Sequence, residues 1–526
     1  MSTPSIPEKY DVESEKQKHE VHLAVPVAEF DDPNLDLNAE LLEDDSPYPE
    51  VRSAVANTDD PDMPCGTFRS WLIGIIWAIL IPGLNQFFFF RYPSVTVSGV
   101  VAQLISFPVL RLWARLVPSV KIFGVAINPG PFTVKEHVLI TIMASVGSGS
   151  AYATDIIAVQ RVYYNQVYNF GYQWLLVMST QLIGFSIGGI ARRFLVNPPS
   201  MIWPANLVTC ALFNTLHSQQ YAGMGTRGGV SRERFFFFGF LASFCWYFLP
   251  GYLFAALSYT NWVCWIAPNN IVVNQLFGTV SGLGMSLVSF DWSQIAYIGS
   301  PLATPWWAEA NIAFGMVFFF WIITPAIYYT NTWYAKYMPI SSTHSFDNTG
   351  ASYKVFGTAS IIWGVIGPAR QFSSGQIYYG LVFFFLAGFL APLLTWLVQK
   401  RFHNTILKYL NWPVIFSGTG LIPPATPSNY VTWSIVGFLF NYVIRRRHFS
   451  WWTKYNYVLS AALDAGVAVS VVVIFFCLQY PRNGSIGLTT VQSWWGNTVS
   501  FNTADARKTP LLTVADGEFF GPRTWS

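Results

Sequence analysis

The sequence predicts an all-α, polytopic integral membrane protein with about 10–12 transmembrane or re-entrant helices. Of its 526 residues, 52% are hydrophobic and only 11% are charged, whereas an ordinary globular protein carries about a quarter charged residues. The chain therefore lacks the polar surface that a soluble protein of this length needs. Apolar runs of the roughly 20 residues that cross a bilayer as a helix also recur along it.

Eight continuous apolar stretches are long enough to span. They are residues 71–90, 94–116, 137–157, 172–191, 235–258, 308–330, 376–398 and 455–479. Three further stretches, 201–217, 261–288 and 413–444, are apolar but interrupted by Pro, Gly or Asn. Broken helices at membrane depth are tolerated only where they are buried in protein or line a wet cavity. This pattern is typical of the substrate site of a transporter.

The remaining charge is unevenly distributed. Residues 1–69 contain 17 of the 27 acidic residues but only 5 of the 30 basic residues, which predicts a largely disordered, cytosolic acidic tail. We divide the rest into an N-terminal transmembrane block (70–354), a C-terminal transmembrane block (355–497) and a C-terminal tail (498–526). The net charge of +3 is thus the sum of an acidic N-terminal segment and a basic, apolar remainder. It does not indicate nucleic-acid binding.

The placement of Lys and Arg predicts a cytosolic N-terminus. On this orientation Arg192 and Arg193 lie inside, and so does the arginine-bearing loop at 227–234. Both ends of the intervening stretch 201–217 then face the same side. This stretch is therefore predicted to be re-entrant or not to span the membrane at all.

The segment before the third predicted span carries the main candidate site. It begins with Asn128, Pro129 and Gly130, which are unsuited to a helix interior, and it places Glu136 and His137 at the mouth of an apolar run. Histidine titrates near neutral pH, so the pair Glu136-His137 is a candidate for proton transfer. In the alternative interpretation, Glu136 lies at the level of the lipid headgroups and is paired with neighbouring side chains.

Further ionisable residues lie within or beside the predicted spans. Asp155 follows a run of small residues that permits close helix packing, and Arg161 is near it in sequence but not at a helical i+3 or i+4 spacing. We include both in the candidate substrate or proton pathway. Glu309 and Asp464 are isolated acidic residues in apolar surroundings. Such residues usually face a cavity or a partner.

Enzyme motifs are absent from the sequence. There is no H-E-x-x-H, no G-x-S-x-G and no phosphate-binding glycine loop followed by Lys and Ser or Thr. Glu136 and His137 also lack the i, i+4 spacing of a helical metal site. We therefore predict that the protein is not an enzyme and has no metal site.

Several long strings resemble one known family. They are SPYPEVRSAV (46–55), DDPDMPCGTFR (59–69), NPGPFTVKEHVLITIMA (128–144), SAYATDIIAVQR (150–161), WVCWIAPNNIVVNQLFG (262–278), GTGLIPPATP (418–427) and NYVIRRRHFSWWTKYNYVLSAALD (441–464). In these strings the chain resembles the oligopeptide transporter family, in its fungal-like, peptide-type branch. The resemblance implies a multi-spanning secondary transporter that imports small peptides, glutathione-like compounds or metal–chelate complexes together with protons.

On this resemblance we expect a proton-coupled importer of tetrapeptides, pentapeptides or glutathione-like compounds in the plasma membrane. Its partners would be the peptide, protons and the lipid bilayer, and its driving force the proton gradient, without a bound cofactor or nucleic acid. The family's Asn-Pro-Gly motif maps onto Asn128, Pro129 and Gly130. Glu136 and His137 would be candidates for proton coupling. A transporter of metal–chelate or siderophore complexes is the alternative within the same class.

The sequence departs from the family at one point. The family's Lys-Ile-Pro-Pro-Arg signature is absent, and Lys354 is followed directly by VFGTASIIWGVIGP (355–368), which resembles sequence from beyond a long block found in other members. The joint at Lys354–Val355 therefore predicts an internal deletion. If the deletion removes part of the transport core, the chain is instead an inactive or regulatory membrane protein.

Overall fold

The computed structural model of the chain describes residues 48–55, 59–91, 95–198, 201–217, 229–286, 288–402, 406–485 and 491–525. Most of the predicted disordered tail, residues 1–47, lies outside the described residues. The last part of that segment is described: a short helix, Pro49–Ala54, has its residues Arg52, Ser53 and Ala54 buried.

Helices dominate the described residues. In chain order they are α1 (Pro49–Ala54), α2 (Phe68–Phe89), α3 (Gly99–Leu116), α4 (Val134–Ser148), α5 (Tyr152–Val162), α6 (Phe170–Leu195), α7 (Pro204–Leu216), α8 (Arg232–Phe248), α9 (Trp262–Ile266), α10 (Ile271–Phe277), α11 (Trp292–Ile295), α12 (Trp306–Met316), α13 (Thr324–Tyr329), α14 (Val355–Ser360), α15 (Gly367–Phe372), α16 (Phe383–Arg401), α17 (Trp412–Phe416), α18 (Pro427–Gly437), α19 (Arg445–Arg447), α20 (Phe449–Ile474) and α21 (Trp495–Thr498). Two small antiparallel hairpins pair β1 (Lys121–Ile122) with β2 (Val125–Ala126), and β3 (His344–Phe346) with β4 (Ser352–Lys354).

Wider and tighter helical turns extend or connect several of these helices. The π-helical turns are Leu249–Leu253, Val317–Ile323, Ile361–Ile366, Phe438–Ile444 and Phe475–Gln479. The 3-10 turns are Ala255–Leu257, Thr332–Tyr337, Tyr379–Val382, Ile406–Tyr409, Ser417–Thr419, Pro481–Gly484 and Val499–Phe501.

Among the described residues, eight helical segments are long and apolar enough to cross a membrane. They are Phe68–Phe89, Gly99–Leu116, Val134–Val162, Phe170–Leu195, Arg232–Leu253, Trp306–Tyr329, Tyr379–Arg401 and Phe449–Gln479. Each overlaps one of the eight stretches predicted from hydropathy. The prediction of an all-α, polytopic membrane protein is confirmed, because its main signal, the length of each apolar run, depends on local sequence alone.

The third of these segments contains a break. Helix α4 ends at Ser148 and α5 begins at Tyr152, within the run of small residues. These residues pack closely, since a Cβ atom added at Gly147 would lie 3.2 Å from the backbone of Ala78 in α2. The small residues therefore serve helix contact in α4, as the sequence predicts.

All three stretches predicted to be broken are broken. Helix α7 has 13 residues and is about 20 Å long at 1.5 Å per residue, too short to span a bilayer alone. In the stretch 261–288, the described residues form α9, α10 and connecting turns. The stretch 413–444 holds most of α17, a 3-10 turn, α18 and a π-helical turn.

Helix α20 lies at the centre of the largest hydrophobic cluster and packs against α8 and α7. Two hydroxyls of α8 and α20 bridge this contact: Ser243 Oγ donates to the Leu463 carbonyl at 2.9 Å, and Ser470 Oγ donates to the Phe244 carbonyl at 2.7 Å. Hydroxyl groups are well suited to such contacts, since they satisfy their own hydrogen bonds while letting the helices approach.

Two of the membrane-length helices lie at the periphery. Helices α6 and α16 contain no buried residue, and most of their large apolar side chains are exposed. A helix with this surface is stable only when lipid or another apolar partner surrounds it. These two helices therefore indicate that the fold is built for a bilayer.

The C-terminal tail packs back onto the broken stretch 261–288. The Asp505 carboxylate accepts hydrogen bonds from the four backbone N–H groups of residues 279–282, at 2.7–3.1 Å. We call these four groups the amide nest. The Ser281 hydroxyl also donates to the Asp505 carboxylate at 3.1 Å, and the aspartate is 1% exposed. The carboxylate thus fixes the tail to the broken stretch 261–288.

The joint predicted at Lys354–Val355 lies between a strand and a helix. Strand β4 ends at Lys354 and α14 begins at the next residue. The start of α14 is held by the loop that follows α5, because the Tyr164 hydroxyl donates to the Gly357 carbonyl at 2.7 Å. The chain therefore continues through the joint with ordinary local structure on both sides.

Candidate functional site

The candidate site is organised by an ion pair between the starts of α2 and α4. The Arg69 Nη2 and Glu136 Oε2 atoms are 2.6 Å apart, and both side chains are fully buried. Arg69 Nε also donates to Glu136 Oε1 at 2.9 Å, so the contact is bidentate. Planar guanidinium and carboxylate groups match in this geometry, which makes the pair both strong and directional.

Glu136 is also part of the N-terminal cap of α4. The Thr133 side chain accepts a hydrogen bond from the Glu136 N–H at 3.2 Å, and the Glu136 carboxylate accepts one from the Thr133 N–H at 3.0 Å. This reciprocal capping box satisfies two of the N–H groups that a helix start leaves free. The Thr67 hydroxyl, at the start of α2, donates to the same carboxylate. The carboxylate is thus surrounded by donors.

The Asn-Pro-Gly motif binds the other side of Arg69. Arg69 Nη1 donates to Asn128 Oδ1 at 3.1 Å and to the Gly130 carbonyl at 2.8 Å, and Nη2 donates to the Pro131 carbonyl at 2.7 Å. Gly130 has a φ of 121°, which only glycine adopts readily. Pro129 itself is exposed. The motif therefore shapes a pocket of carbonyl oxygens around the guanidinium.

Asn128 connects this network to α3. Its Nδ2 donates to the carbonyls of Ala114 and Val117 at the C-terminal end of that helix, at 3.1 and 2.5 Å. Because the last carbonyls of a helix have no partner within it, the asparagine amide completes that end. The buried side chain of Asn128 thus joins the end of α3 to Arg69 at the start of α2, and Arg69 in turn binds Glu136 of α4.

His137 faces a second histidine that is 80 residues away in sequence. His137 Nε2 lies 2.8 Å from the Gln103 carbonyl, and His137 Nδ1 lies 3.0 Å from His217 Nε2. A carbonyl only accepts, so His137 Nε2 carries a hydrogen and a neutral His137 accepts at Nδ1. His217 Nε2 must then be the donor. The two rings therefore form a directed chain, from His217 through His137 to Gln103.

The hydrogen-bond geometry of this histidine pair leaves room for one further proton but not two. The first additional proton fits on His217 Nδ1, which leaves the hydrogen bond between the rings intact. A second additional proton would go to His137 Nδ1, so that two N–H donors would face each other at 3.0 Å. The aromatic rings of Phe107, Phe132 and Phe213 lie within 6 Å of the His137 ring centre, so the pair lies in a largely apolar enclosure. The hydrogen bond between the histidine rings therefore survives the addition of at most one proton.

The other candidates from sequence lie elsewhere. Asp155 and Arg161 are both on α5, beyond the break in the third segment, and in the described part of the chain no hydrogen bond or ion pair joins them. Arg161 is exposed and Asp155 is half-buried. Lys135 pairs with Asp59 at 2.8 Å near the surface. The structure thus brings together Asn128, Gly130, Glu136 and His137, and leaves Asp155 and Arg161 apart.

A small cavity, lined by both polar and apolar residues, lies on the other side of Gln103 from the histidine pair. Its volume is about 140 Å³. Its polar lining residues are Gln103 on α3, Thr209 on α7, Asp464 on α20, and Ser300 in the loop before α12; apolar side chains of α3, α7 and α20 complete the lining. Asp464 Oδ1 accepts a hydrogen bond from the Trp292 indole at 2.6 Å. Gln103 thus belongs to two sites, through its backbone carbonyl and through its side chain.

Sequence reasoning missed the partners that complete these sites. Arg69 was recognised only as a charge flanking the first apolar run, and His217 and Gln103 were not singled out. His217 does end a stretch whose prolines marked it as broken, and that signal points to it. No sequence signal places Gln103 beside His137 or Trp292 beside Asp464, since these pairs are 34 and 172 residues apart.

Among the described residues there is no group of three or more His, Cys, Asp or Glu side chains that could hold a metal ion. The interior instead combines a buried ion pair, a histidine pair and broken helices within a bundle of membrane-length helices. Broken helices among membrane-length helices, together with buried polar groups, are typical of secondary transporters. The fold and the site together thus indicate that class.

Comparison with known families gives the same class. The family model described as OPT oligopeptide transporter protein matches residues 65–364 and, separately, residues 348–478. The chain belongs to the OPT oligopeptide transporter family. No solved structure matches it.

Relatives in yeasts are similar over nearly the whole chain. The sexual differentiation process protein isp4 of Schizosaccharomyces pombe is 33% identical over 92% of this chain and 92% of its own length. Glutathione transporter 1 of the same yeast is 32% identical over 92% of this chain and 85% of its own length. Oligopeptide transporter 1 of Saccharomyces cerevisiae is 30% identical, with coverages of 91% and 89%.

These comparisons also locate a gap. The alignment with the isp4 protein runs over 728 positions, whereas this chain has 526 residues, so at least 202 aligned positions have no residue here. The two matches to the family model meet at residues 348–364, the segment that contains the Lys354–Val355 joint. Both findings agree with the deletion predicted from sequence at that joint.

Proposed function

We propose that this chain is a secondary transporter that imports small oligopeptides, of four or five residues or glutathione-like, across the plasma membrane with protons. The observation that carries the proposal is the family match over most of the chain, together with relatives described as an oligopeptide transporter and a glutathione transporter. The proton gradient supplies the driving force, without a bound cofactor. The N-terminal tail faces the cytosol in this proposal.

The geometry supports distinct roles for the two residues that sequence reasoning placed together. The Glu136 carboxylate is balanced by Arg69, so its protonation would leave a buried guanidinium without a counter-ion, at a cost of several kcal/mol. His137 has no such restriction and forms part of a chain of donors and acceptors. In this proposal His137 handles a proton, and Glu136 holds Arg69 and the Asn-Pro-Gly motif in place.

The remaining candidates keep their proposed place on the substrate path. Asn128, Pro129 and Gly130 shape the region near the start of α4, and Asp155 with Arg161 lies on α5 beyond the break in the same membrane segment. The Asn-Pro-Gly motif precedes α4, whereas Asp155 and Arg161 follow the break between α4 and α5, so the motif and these two residues lie at opposite ends of α4. In the proposal they act at successive points of the path.

The test is an uptake assay with the 526-residue protein in liposomes. We expect a radiolabelled tetrapeptide or glutathione to accumulate inside when the outside is more acidic, and the accumulation to disappear when a protonophore collapses the gradient. Competition by unlabelled peptides but not by metal–chelator complexes supports the peptide assignment. Competition by chelates alone would favour the metal–chelate alternative, and uptake that ignores the pH gradient would contradict proton coupling.

A second candidate function is favoured by the missing block. A chain that lacks at least 202 positions of the family alignment would serve as an inactive or regulatory membrane protein if the block contains an essential part of the transport path. Amplification of the transcript across codons 345–365 shows which form the cell makes. A longer product means that a complete transporter exists, and a product of this length only makes the uptake assay above decisive for this form.

A further inference from the structure

The carboxyl groups buried in the membrane-length helices differ in their surroundings. Glu136 is balanced by the bidentate contact with Arg69. Glu309 in α12 is fully buried, and in the described part of the chain neither of its oxygens has a hydrogen-bond partner; it lies against Gly437. Asp464 instead borders the cavity of about 140 Å³.

A carboxyl group that exchanges protons during a transport cycle needs a way for protons to reach it. Water supplies that path when a cavity is large enough and offers water a few polar partners, and about 30 Å³ corresponds to one water molecule in the liquid. The cavity beside Asp464 therefore has room for several water molecules. Most of the lining of this cavity is apolar, but four of its residues are polar. Glu136 is enclosed by its own donors and does not line this cavity, and neither does Glu309.

Gln103 gives independent support for water in this cavity. Its side chain borders the cavity and is 1% exposed, yet its Nε2 donor has no hydrogen-bond partner among the described residues. A buried amide without a partner costs about 1–3 kcal/mol. Water in the cavity would satisfy the amide, and Thr209 and Ser300 offer further polar groups along the same wall.

Asp464 is not neutralised by any neighbouring charge in the described residues. Its carboxylate accepts one hydrogen bond, from the Trp292 indole, and no described ion pair includes it. The titratable and charged side chains on the elements packed against α20, or at their ends, are Tyr48, Glu50, Arg52, Arg111, Arg115, Cys210, His217, Arg232, Glu233, Arg234, Cys245, Tyr247, Asp291, Tyr442, Arg445, Arg446, Arg447, His448, Cys477 and Tyr480. None of them lines the cavity.

We propose that the cavity bounded by Gln103, Thr209, Ser300 and Asp464 is a hydrated proton-binding site, in which Asp464 carries the coupling proton. A hydronium ion in the cavity transfers its proton to the Asp464 carboxylate, which forms an O–H bond and leaves a water molecule behind. The carboxyl group becomes neutral and later returns the proton to water. This inference rests on the proposed proton-coupled import and deepens it: Asp464 holds the coupling proton, and the histidine pair is a second proton-handling group beside it.

The same geometry connects the cavity with the histidine pair. The Gln103 carbonyl accepts from His137 Nε2 at 2.8 Å, while the Gln103 side chain borders the cavity. A change in the charge of Asp464 that reorients Gln103 would be transmitted to the His137 ring through one residue. The two polar regions thus share a wall, and Asp464 is the acidic group on it.

The first test is spectroscopic and does not depend on transport. Infrared difference spectra of the purified 526-residue protein, recorded across a pH titration, should show the C=O band of a protonated carboxylic acid that is lost in Asp464→Asn. Glu309→Gln is the matched control, because it removes a buried carboxyl group that does not border the cavity, and it should retain the titrating band. A titrating band that survives in Asp464→Asn and disappears in Glu309→Gln would overturn the proposal.

The second test uses transport. In liposomes, Asp464→Asn should lose peptide accumulation driven by a pH gradient but retain peptide exchange at equal concentrations and equal pH, since exchange needs no net proton movement. Asp464→Glu should restore part of the accumulation. If Asp464→Asn accumulates as much peptide as the wild-type protein does, the proposal is contradicted. If the wild-type protein moves no peptide, the import proposal fails, and the infrared band still decides the proton site.

A third variant covers the case in which Asp464→Asn does not fold. Gln103→Leu keeps the carboxyl group and removes the unpaired amide from the cavity wall. We expect the pH midpoint of the Asp464 band to shift relative to wild type, because the polar surroundings of the carboxyl group change. An unchanged midpoint would show that Gln103 and Asp464 do not share one hydrated site.

Discussion

Arg69 and Glu136 are 67 residues apart in sequence and lie on different helices, yet their side chains meet at 2.6 Å with no exposure to solvent. The pair joins the start of α2 to the start of α4, and the Asn128 side chain with the carbonyls of Gly130 and Pro131 accepts hydrogen bonds from the remaining guanidinium donors. Removing one member of a buried pair leaves the other charge unpaired, which is costly. The contact is therefore a structural anchor on which the candidate site depends.

We predict that Glu136→Gln destabilises the protein by about 3–5 kcal/mol, because Arg69 would lose its counter-ion. The double variant Arg69→Met with Glu136→Leu should be less destabilised than the sum of the single variants, since no buried charge is left alone. Thermal unfolding in detergent measures both. Additive losses would mean that the pair contributes no coupling energy.

The histidine pair gives a prediction about hydrogen-bond direction. His217→Gln keeps an N–H donor for His137 Nδ1, whereas His217→Phe leaves that buried acceptor without a partner. We expect His217→Phe to lower the free energy of unfolding by about 1–3 kcal/mol relative to His217→Gln. Chemical or thermal unfolding of the two variants makes the comparison. Equal stabilities would contradict the assignment of His217 as the donor.

Gly278 should be intolerant of a side chain. A Cβ atom there would collide with the Asp505 carboxylate and with the Asn274 carbonyl, so Gly278→Ala should displace Asp505 from the amide nest. Limited proteolysis of the C-terminal tail should then be faster than in wild type. Gly83→Ala is the control, because nothing lies within 4 Å of its added Cβ; it should leave proteolysis unchanged. Equal rates in both variants would refute the role of the nest.

The contact between the C-terminal tail and the β3–β4 hairpin should depend on pH. Lys508 Nζ donates to His344 Nδ1 at 2.7 Å. Burial, together with Lys508 and Lys354, lowers the pKa of His344 from its ordinary value of 6.5. A lowered histidine pKa stabilises the folded contact above the ordinary value, and this stabilisation is lost as the pH falls through the lowered pKa.

Hydrogen exchange of the tail measures this dependence. We expect backbone amides near Lys508 to exchange faster, relative to the rest of the protein, at acidic pH than at neutral pH. His344→Phe removes the titrating group, so the pH dependence of this local protection should disappear in that variant. Local protection in the wild-type protein that stays constant over the same pH range would contradict the prediction.

Hydropathy predicted the architecture well because each membrane-length helix is encoded in a continuous apolar run. The sequence also predicted the broken stretches, since proline and glycine act on the backbone next to them. It could not predict the partners of the buried groups. His217 meets His137, and Trp292 meets Asp464, only because the helices pack in one particular arrangement. Proximity in sequence was misleading in the opposite case: Asp155 and Arg161 lie six positions apart but do not pair.

Strand β4 ends at Lys354 and α14 starts at Val355, and the Ser345 and Thr358 hydroxyls join the hairpin to the helix at 2.6 Å. If a block of sequence were inserted between Lys354 and Val355, its first and last residues would attach to the rest of the fold at neighbouring positions. Units whose two ends lie close together are the ones that chains accept as domain insertions. The missing block thus has the connectivity of a detachable module, and a longer and a shorter form of the protein could keep the same hairpin, helix and tail contacts.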